Sequence, residues 1–418
     1  MFCHRVHKKL SLIARHPETV FLYPPIVIRH FKPMKTPLKL QRSLFSIPAR
    51  DIYLNCAYMS PLMRSVEKAG VAGITRKRNP MTISAEDFFT ESNLLRSEFA
   101  RLIGAKNPKQ IALIPSVSYG MATIASNVAL SRGNKIIVAG EQFPSNYYAW
   151  QRLCQQAGAK LEAIAAPTEL QARAQRWNEK ILEAIDKKTR VVALGHVHWA
   201  DGTRFRLENI RARTREVGAL LIIDGTQSVG ALPFDIEKIQ PDALVCAGYK
   251  WLMGPYSTGL AYYGEAFEAG TPIEENWISR LNSENFSQLV NYQSQYQPGA
   301  LRYDAGERSN FILVPMMLAA LRQINRWTPE KIQEYTKRIS AKAIEQLREA
   351  GHWVEDESGR GHHLFGIRLR SGMALDAVRT NLVRARMSVS FRGDCIRVSP
   401  HVYNRSSELL KLASLLSR

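Results

Sequence analysis

Residues 219–227 read Ala-Leu-Leu-Ile-Ile-Asp-Gly-Thr-Gln, and residues 242–250 read Asp-Ala-Leu-Val-Cys-Ala-Gly-Tyr-Lys. Each stretch contains an apolar run that is continuous rather than alternating, which is typical of a strand buried on both faces. A charged side chain follows each run, Asp224 in the first and Lys250 in the second. Because ligands of open α/β sheets bind beyond the carboxyl ends of the strands, both residues are candidate site residues.

The same pattern continues on both sides of these two stretches. Apolar runs alternate with longer segments of helical periodicity, which predicts βαβ units and a mostly parallel sheet. The predicted strands are 110–114, 135–139, 161–165, 190–194, 219–223 and 242–246, and 258–263 is able to close the sheet. The predicted helices are 119–130, 145–156, 177–185 and 207–217, followed by 311–327 and 331–349. A smaller C-terminal α+β region completes the expected α/β architecture.

Charge is distributed unevenly along the 418 residues, whose formal net charge is +20. Residues 1–50 hold ten basic residues and a single acid, Glu18, so nearly half of the excess lies in this leader. The rest is an ordinary globular composition, 45% hydrophobic and 22% charged over the whole chain. We predict a basic extension at 1–50 that need not be ordered, a large domain at 51–300 with an N-terminal arm over about 51–80, and a small domain at 301–418.

The five cysteines are scattered and form no C-x-x-C pair, which favours a reducing cytoplasm. No apolar stretch approaches the roughly 20 residues that span a bilayer. The apolar run at 20–28 is broken by Pro24 and Pro25 and makes a poor signal peptide. The basic leader is compatible with an organellar transit peptide, or with an extension upstream of an internal start at Met34. We expect a cytoplasmic protein without membrane association.

Polar or aromatic residues follow the other predicted strands as well. Val117 and Ser118 precede the predicted helix at 119, where free backbone N–H groups bind anions, although Ser118 acting only as a helix cap is the plainer interpretation. Phe143 follows the second strand and could stack on a planar ligand or pack in the core. His196 and His198 could share one strand face as metal ligands, but no third ligand has suitable spacing, and we predict no metal site.

Lys250 and Asp224 would be costly to bury alone. Lys250 lies among aromatic residues before Gly254-Pro255, and desolvation would lower its pKa from about 10.4 and make it nucleophilic. Asp224 would need a cation if buried. An anion site, an aromatic ring, an aspartate and a lysine on successive strands match what pyridoxal phosphate requires. The lysine would form a Schiff base with it and the aspartate would pair with its pyridinium nitrogen.

The unit formed by Asp224-Gly-Thr-Gln227 and Gly248-Tyr249-Lys250 resembles the signature of the class V aminotransferases. These are fold-type-I enzymes that include cysteine desulfurases and kynureninases, and the resemblance runs from about residue 51 to the C-terminus. It implies a large domain with a mostly parallel sheet and flanking helices, plus a smaller C-terminal α+β domain. It also implies that Lys250 is the catalytic Schiff-base lysine, that Asp224 pairs with the pyridine nitrogen and that Gln227 contacts the phenolic oxygen.

Further cofactor contacts are implied for Val117, Ser118, Phe143 and Tyr249. Phe143-Pro-Ser-Asn146 resembles the Phe-Pro-Ser-Asp motif of kynureninases, whereas Trp199 falls where desulfurases place an asparagine. The segment from Cys395 to Asn404 resembles the family's C-terminal arginine motif, so Arg397 would bind the substrate α-carboxylate through a bidentate pair. A homodimer is expected because this family builds its sites at a subunit interface.

Two departures from the family pattern bear on the reaction. Arg302-Tyr-Asp-Ala-Gly306 resembles a segment whose next residue, a threonine, reaches the neighbouring subunit's phosphate. That residue is Glu307 here, so Arg308 or Ser309 would replace it or the contact would be missing. Desulfurases also carry a nucleophilic cysteine ahead of the C-terminal arginine, and this chain has no cysteine between Cys246 and Cys395.

We therefore predict a pyridoxal-phosphate enzyme acting on an amino acid or related amine, with transamination as the leading reaction. A kynureninase-like lyase or hydrolase, or an epimerase, is the close alternative, because the same groups serve all of these reactions. A cysteine desulfurase is less favoured, and a relative that binds the cofactor without turnover is also open. The rival from another class is a nucleic-acid-binding protein, which needs basic and aromatic residues clustered on one face. Outside the leader the charges are scattered and densest over 204–215, so nucleic acid is the weaker interpretation.

Overall fold

The strands of the computed structural model, which describes residues 36–417, form a seven-stranded sheet, a four-stranded sheet and a two-stranded pair. The strands are β1 (Ile52–Tyr53), β2 (Ile111–Ile114), β3 (Lys135–Ala139), β4 (Lys160–Ile164), β5 (Thr189–Gly195), β6 (Leu220–Asp224), β7 (Ala243–Ala247), β8 (Gly259–Tyr263), β9 (Trp353–Val354), β10 (Phe365–Arg368), β11 (Met387–Ser388), β12 (Ser390–Arg392) and β13 (Cys395–Val398). The helices are α1 (Arg64–Arg76), α2 (Thr90–Ile103), α3 (Val117–Ser126), α4 (Tyr148–Ala157), α5 (Arg173–Ala184), α6 (Leu207–Val217), α7 (Ile236–Ile239), α8 (Leu313–Trp327), α9 (Pro329–Glu349), α10 (Leu375–Arg384) and α11 (Ser406–Ser417).

The large sheet has the strand order β2-β8-β7-β6-β5-β3-β4. The pairs from β4 through β7 are parallel, and β8 runs antiparallel to both β2 and β7. The predicted mostly parallel sheet, closed by a strand at 258–263, is therefore confirmed. All the strands of this sheet except β8 point their carboxyl ends toward the same edge, which is where the sequence places the candidate site residues.

Burial on both faces explains the continuous apolar runs. Along β3, Ile136 and Val138 join one hydrophobic cluster while Ile137 joins the other, because successive side chains of a strand point to opposite faces. All three are fully buried, as are Val191 and Val192 on the neighbouring β5. Two helical layers therefore cover the sheet, and the site has to lie at an edge rather than on a face.

The helix predicted over 119–130 is shorter than expected and spans Val117–Ser126. The side-chain amide of Asn127 donates to the carbonyl of Thr123 at 2.8 Å, which is the acceptor that a further helical turn would use. Asn127 also binds the backbone of Thr271, at 2.8 Å through Nδ2 and 2.7 Å through Oδ1. These bonds anchor the helix end to a distant loop, which the local sequence pattern does not reveal.

The N-terminal arm pairs with the C-terminal region rather than with the large sheet. Strand β1 lies parallel to β11, with Ile52 opposite Met387, and β12, β13, β10 and β9 form an antiparallel sheet beside them. Residues 1–35 of the predicted extension 1–50 lie outside the described residues. The remainder is ordered, since Phe45 is 3% exposed and packs against Trp327 and Tyr403.

Three of the arginines between 204 and 215 make specific contacts within the protein. Arg211 pairs with Asp242 at 2.7 Å, and Arg213 pairs with Glu216 at 2.6 Å. Arg215 donates to the side chain of Gln240. The densest basic cluster of the folded region is thus partly neutralised by its own neighbours. Within residues 36–417 no helix combines the length and apolar character needed to cross a membrane.

A buried ion pair ties the large sheet to the helix that precedes it. Asp304, 1% exposed, binds the guanidinium of Arg96, 2% exposed, and accepts the N–H of Leu113 at 2.8 Å. Arg308 lies 2.6 Å from the same carboxylate. This carboxylate therefore joins α2, β2 and the segment that leads to α8, and removing it leaves two buried guanidinium groups without their carboxylate counter-charge.

Substituting Asp304→Ala is expected to lower the free energy of unfolding by about 3–5 kcal/mol, since breaking a buried pair leaves an uncompensated charge. Urea unfolding followed by circular dichroism measures the change. The matched control is Asp376→Ala, whose side chain is 94% exposed in its ion pair with Arg379 and whose loss should cost at most about 1 kcal/mol. Equal effects of the two substitutions would contradict this role of Asp304.

Candidate active site

A cavity of about 240 Å³ lies at the carboxyl ends of β2, β3, β5, β6 and β7. The segment that follows each of these five strands contributes to its wall, and residues 256–258 ahead of β8 complete it. Strand-end segments converge here because the five strands run in the same direction. The predicted residues Val117, Ser118, Phe143, Asp224, Gln227, Tyr249 and Lys250 all line this cavity.

Lys250 projects from the turn after β7 and is only 6% exposed. The turn is tight: a Cβ at Gly248 would lie 2.6 Å from the hydroxyl oxygen of Thr258. The Nζ of Lys250 lies 5.1 Å from the ring centre of Phe143 and 5.5 Å from that of Tyr249. Burial lowers the pKa of Lys250 to about 8, with nearby Asp224 opposing the change and Arg397 adding to it. The amine is therefore a stronger nucleophile near neutral pH than an ordinary lysine.

Asp224 ends β6, directly beside β7, and is 8% exposed. Burial raises its pKa, although hydrogen bonds from Thr226 and the charge of Lys250 act in the opposite direction. The backbone N–H of Thr226 donates to Asp224 Oδ1 at 3.0 Å, and the N–H of Ala247 donates to the Thr226 hydroxyl at 3.2 Å. Thr226 thus holds the Asp224 carboxylate in place and ties the ends of β6 and β7 together.

Both the oxygen and the nitrogen of the Gln227 side-chain amide are hydrogen-bonded. Its Oε1 accepts from the indole N–H of Trp251 at 2.9 Å, and its Nε2 donates to the carbonyl of Ala57 at 3.1 Å. An amide nitrogen carries two hydrogens, so one donor of Gln227 is free of these contacts. The predicted contact of Gln227 with a phenolic oxygen is compatible with this arrangement.

Val117 and Ser118 are the first two residues of α3. The interpretation of Ser118 as the helix cap is wrong, because Ser116 occupies that position and its hydroxyl accepts the N–H of Tyr119 at 3.1 Å. The hydroxyl of Ser118 instead lies 3.0 Å from that of Ser145. Two hydroxyls and the first-turn N–H groups of a helix therefore meet at one point of the cavity wall, which is a geometry that binds phosphate.

Aromatic rings form another part of the cavity wall. Phe143 meets Trp199 edge to face at 5.5 Å, and the indole N–H of Trp199 donates to the carbonyl of Glu141 at 2.7 Å. Tyr249 lines the cavity and packs against Tyr256 at 4.5 Å. Because flat apolar groups form this wall, it suits a planar ring rather than a solvated ion.

The two histidines considered as metal ligands serve the packing instead. His198 Nδ1 lies 3.2 Å from Asp201, and its Nε2 lies 3.2 Å from the carbonyl of Glu141. The ring of His196 packs against Phe234 at 5.6 Å. Throughout residues 36–417, no group of three or more His, Cys, Asp or Glu side chains is arranged to hold a metal ion.

Arg397 lies behind the cavity wall rather than on it. This residue of β13 is 1% exposed, and it donates to the carbonyl of Trp199 at 2.7 Å and to the hydroxyl of Ser390 at 3.2 Å. Its Nε has no hydrogen-bond partner. Burial lowers the pKa of Arg397 to about 9, and neighbouring Arg392 adds to that effect. A buried guanidinium that makes only neutral contacts is costly, so an anion bound beside it would be strongly favoured.

The two side chains that follow Glu307 make contacts within this chain. Arg308, one candidate to replace the family's threonine, pairs with Asp304 at 2.6 Å. Ser309, the other candidate, donates its hydroxyl to the carbonyl of Phe88. Both side chains therefore have internal partners, which does not favour either as a replacement phosphate ligand.

Sequence reasoning missed several residues that build the site. Ser116 and Ser145 at the anion-binding corner, Thr226 beside Asp224, and Ala57 and Trp251 around Gln227 were not singled out. Thr226 had a readable signal, since a strand-end aspartate commonly accepts the N–H of the residue two positions later. Ala57 had none, because a backbone carbonyl from the N-terminal arm enters the site only through the tertiary structure.

The residues present fit pyridoxal phosphate. The N-terminus of α3 at Val117 suits its phosphate, Phe143 its ring, and Asp224 its pyridine nitrogen. The free donor of Gln227 suits its phenolic oxygen, and Lys250 suits its aldehyde.

The family model "Aminotransferase class-V" matches residues 75–412 of this chain. The chain belongs to that family. The resemblance inferred from Asp224-Gly-Thr-Gln227 and Gly248-Tyr249-Lys250 is thereby confirmed. Membership of this family makes pyridoxal phosphate the cofactor of this chain, as predicted. It does not specify the reaction, because members of the family catalyse several different reactions.

Similar proteins carry more than one functional name. The uncharacterized aminotransferase YcbU of Bacillus subtilis is 26% identical over 320 residues, which are 76% of this chain and 81% of that protein. A cysteine desulfurase of Salmonella newport is 26% identical over 360 residues, 81% of this chain and 84% of that protein. A mutant of C-DES with glycine covalently linked to its pyridoxal-phosphate cofactor superposes with a TM-score of 0.79 at 20% identity, covering 90% of this chain and 98% of that one. This likeness confirms the fold-type-I architecture.

The lowered pKa of Lys250 predicts how its reactivity depends on pH. In cofactor-free protein, acetylation of Lys250 by acetic anhydride, quantified by peptide mass spectrometry, should rise with a midpoint near its pKa of about 8. The Arg397→Met substitution removes a cation that lowers this pKa, so the midpoint should move to higher pH. A midpoint near the ordinary lysine value of about 10.4 in the unsubstituted protein would contradict the desolvation of Lys250.

Proposed function

We propose that this protein is a pyridoxal-phosphate-dependent aminotransferase acting on an amino acid. The observation that carries the proposal is the buried pair of Lys250 and Asp224 at adjacent strand ends, with a buried cation, Arg397, behind the same cavity. A primary amine, a carboxylate and a carboxylate-binding guanidinium are the groups that amino-acid chemistry on this cofactor needs.

Each residue has a defined task in this proposal. Bound pyridoxal phosphate supplies an electron sink that stabilises negative charge at the substrate α-carbon. Lys250 Nζ, with a pKa of about 8, is neutral in a useful fraction of molecules and accepts the α-proton. Asp224 would pair with the protonated pyridine nitrogen of the cofactor, and Arg397 would orient the substrate by binding its α-carboxylate. Because the carboxylate anchor sets which α-bond is labile, the position of Arg397 governs the choice of reaction.

The cysteines support transamination over sulfur transfer. The four cysteines among the described residues, Cys56, Cys154, Cys246 and Cys395, are all buried, and none lines the cavity. Burial raises the pKa of Cys395 to about 12, which keeps it as a thiol. A persulfide-forming nucleophile instead needs an exposed thiolate. This favours the chemistry named for the Bacillus relative over that named for the Salmonella relative.

One observation favours a second candidate, a lyase or hydrolase acting at the substrate β-carbon. Phe143-Pro-Ser-Asn146, which resembles the kynureninase motif, lies at the cavity, where Phe143 flanks Lys250. The same cavity residues would bind the cofactor and the substrate in both reactions. A leaving group on the substrate β-carbon would therefore decide which reaction occurs. A homodimer remains part of the proposal on family grounds.

Cofactor attachment tests the core of the proposal. Protein purified with pyridoxal phosphate should absorb visible light, and borohydride should fix the cofactor covalently on the peptide that contains Lys250. Lys250→Ala should lose this attachment, and its turnover should fall by about 10²–10⁴-fold because the proton acceptor is gone. Lys160→Ala, which removes a 68% exposed lysine at the amino end of β4, is the control that should keep both. Protein that stays colourless and unmodified with excess cofactor would refute the proposal.

The reaction type is tested by product analysis on the loaded enzyme. Beyond one equivalent per active site, amino acids should convert to 2-oxo acids only when a 2-oxo acid acceptor is present, and the amino group should be recovered on the acceptor. Neither sulfide nor persulfide should form from cysteine, and Cys395→Ser should leave transamination unchanged because that thiol is buried. Steady release of a β-carbon fragment without an acceptor would favour the second candidate instead.

A further inference from the structure

Two arginines project from one face of the β12–β13 hairpin. Arg397 pairs across the strands with Ser390, and Arg392 pairs with Cys395. Since side chains alternate along a strand, Ser390 and Arg392 lie on the same face as Arg397. The two guanidinium groups are diagonal neighbours, a relation within reach of long side chains. The turn at Gly393 and Asp394 fixes this register.

Neither arginine has a carboxylate partner in residues 36–417. Arg392 donates to the carbonyl of its neighbour Phe391 at 2.8 Å, and its buried Nε has no partner, as is also true of Arg397 Nε. The nearby carboxylates are engaged elsewhere. Asp394 binds Arg368, and Asp201 binds Arg173 at 2.7 Å. Two cations without counter-charges on one small surface repel each other, and an anion between or beside them relieves this repulsion.

Both arginines lie close to the reacting amine. The guanidinium of Arg392 stacks over the ring of Trp199, 5.3 Å from its centre, and Trp199 lines the cavity. Arg397 donates to the backbone carbonyl of the same tryptophan. The positive charges of both arginines contribute to the lowered pKa of Lys250. Arg392 therefore borders the cavity through its contact with the Trp199 ring.

We propose that Arg392 forms a second anion subsite, so that the preferred substrate is an amino acid whose side chain carries a carboxylate or phosphate. Arg397 takes the α-carboxylate, and Arg392 takes the anionic group of the side chain. Trp199 serves as the apolar plate between these contacts and the cofactor ring. This inference rests on the proposed function, because it names the substrate class of that same site.

Selectivity between isosteric substrates tests the subsite. We expect the loaded enzyme to prefer L-aspartate over L-asparagine, L-glutamate over L-glutamine, or O-phospho-L-serine over L-serine. The kcat/KM ratio for at least one pair should be about 10- to 100-fold, the range expected for hydrogen bonds to a charged group. The three pairs distinguish the length and the kind of the anion. Arg392→Gln should reduce the ratio to near unity, and Arg392→Lys should leave it in between.

The matched control is Arg379→Gln. Arg379 stacks on Phe391 of the same hairpin, but Phe391 alternates with Arg392 and points to the other face. This substitution removes one positive charge beside the hairpin without touching the proposed subsite, and it should preserve the ratio. Retained selectivity in Arg392→Gln, or its loss in Arg379→Gln, would overturn the assignment.

Binding measured without turnover keeps this inference separate from the proposed function. Calorimetry on the holoenzyme should show succinate binding more tightly than succinamate, or glutarate more tightly than glutaramate, with the preference lost in Arg392→Gln. Equal affinities within both pairs, together with equal rates within all three substrate pairs, would overturn the subsite while leaving transamination intact. Failure of cofactor attachment would refute the proposed function, and the same calorimetric comparison on the purified protein without cofactor would still decide the subsite.

Discussion

The rest of the site depends on the burial of an amine and a carboxylate at the ends of two adjacent parallel strands. Lys250 and Asp224 are 6% and 8% exposed, and each influences the pKa of the other through its charge. Desolvation lowers the pKa of Lys250 and raises that of Asp224, so burial favours the uncharged form of each group. Such a pair persists only because the hydrophobic sheet positions it, and an uncharged Lys250 amine is the form that reacts with a carbonyl group.

The second half of the site is built from the two ends of the described chain. The arm at 52–57 runs beside β11 and β13, and it binds Ser390 through Asn55 and Gln227 through Ala57. The backbone N–H of Ala57 also donates to the Ser399 hydroxyl at 3.0 Å. The cofactor side and the arginine side are therefore linked through one short arm. Changes in that arm should influence both sides, although it contributes no charged group to either.

Much of the fold and part of the site could be predicted from the sequence, and the physical reason differs from one element to the next. Strands β3, β5, β6 and β7 were predicted within a few residues because both of their faces are buried, which leaves an unbroken apolar signal. The edge strand β4 is partly exposed and its apolar signal is weaker. Helix α3 was predicted too long, since a distant loop captures Asn127 and ends it. The sequence interpretation that made Ser118 a helix cap was wrong, because Ser116 caps α3. Two serines so close in sequence are equally good candidate caps until the first residue of the helix is known. The domain boundaries and the roles of individual residues in binding remain predictions.

The sequence by itself determined the fold class and the family, and it singled out Asp224 and Lys250 as the candidate reacting pair. The apolar strand pattern and the charged residue that follows each strand can be read from local sequence. Because parallel strands end at the same edge of the sheet, Asp224 and Lys250 then lie close together. Only the tertiary structure decided that Arg397 lies behind Trp199 rather than on the cavity wall, and that Arg392 shares its face. Those relations depend on hairpin register and on packing between distant segments, which no local pattern encodes.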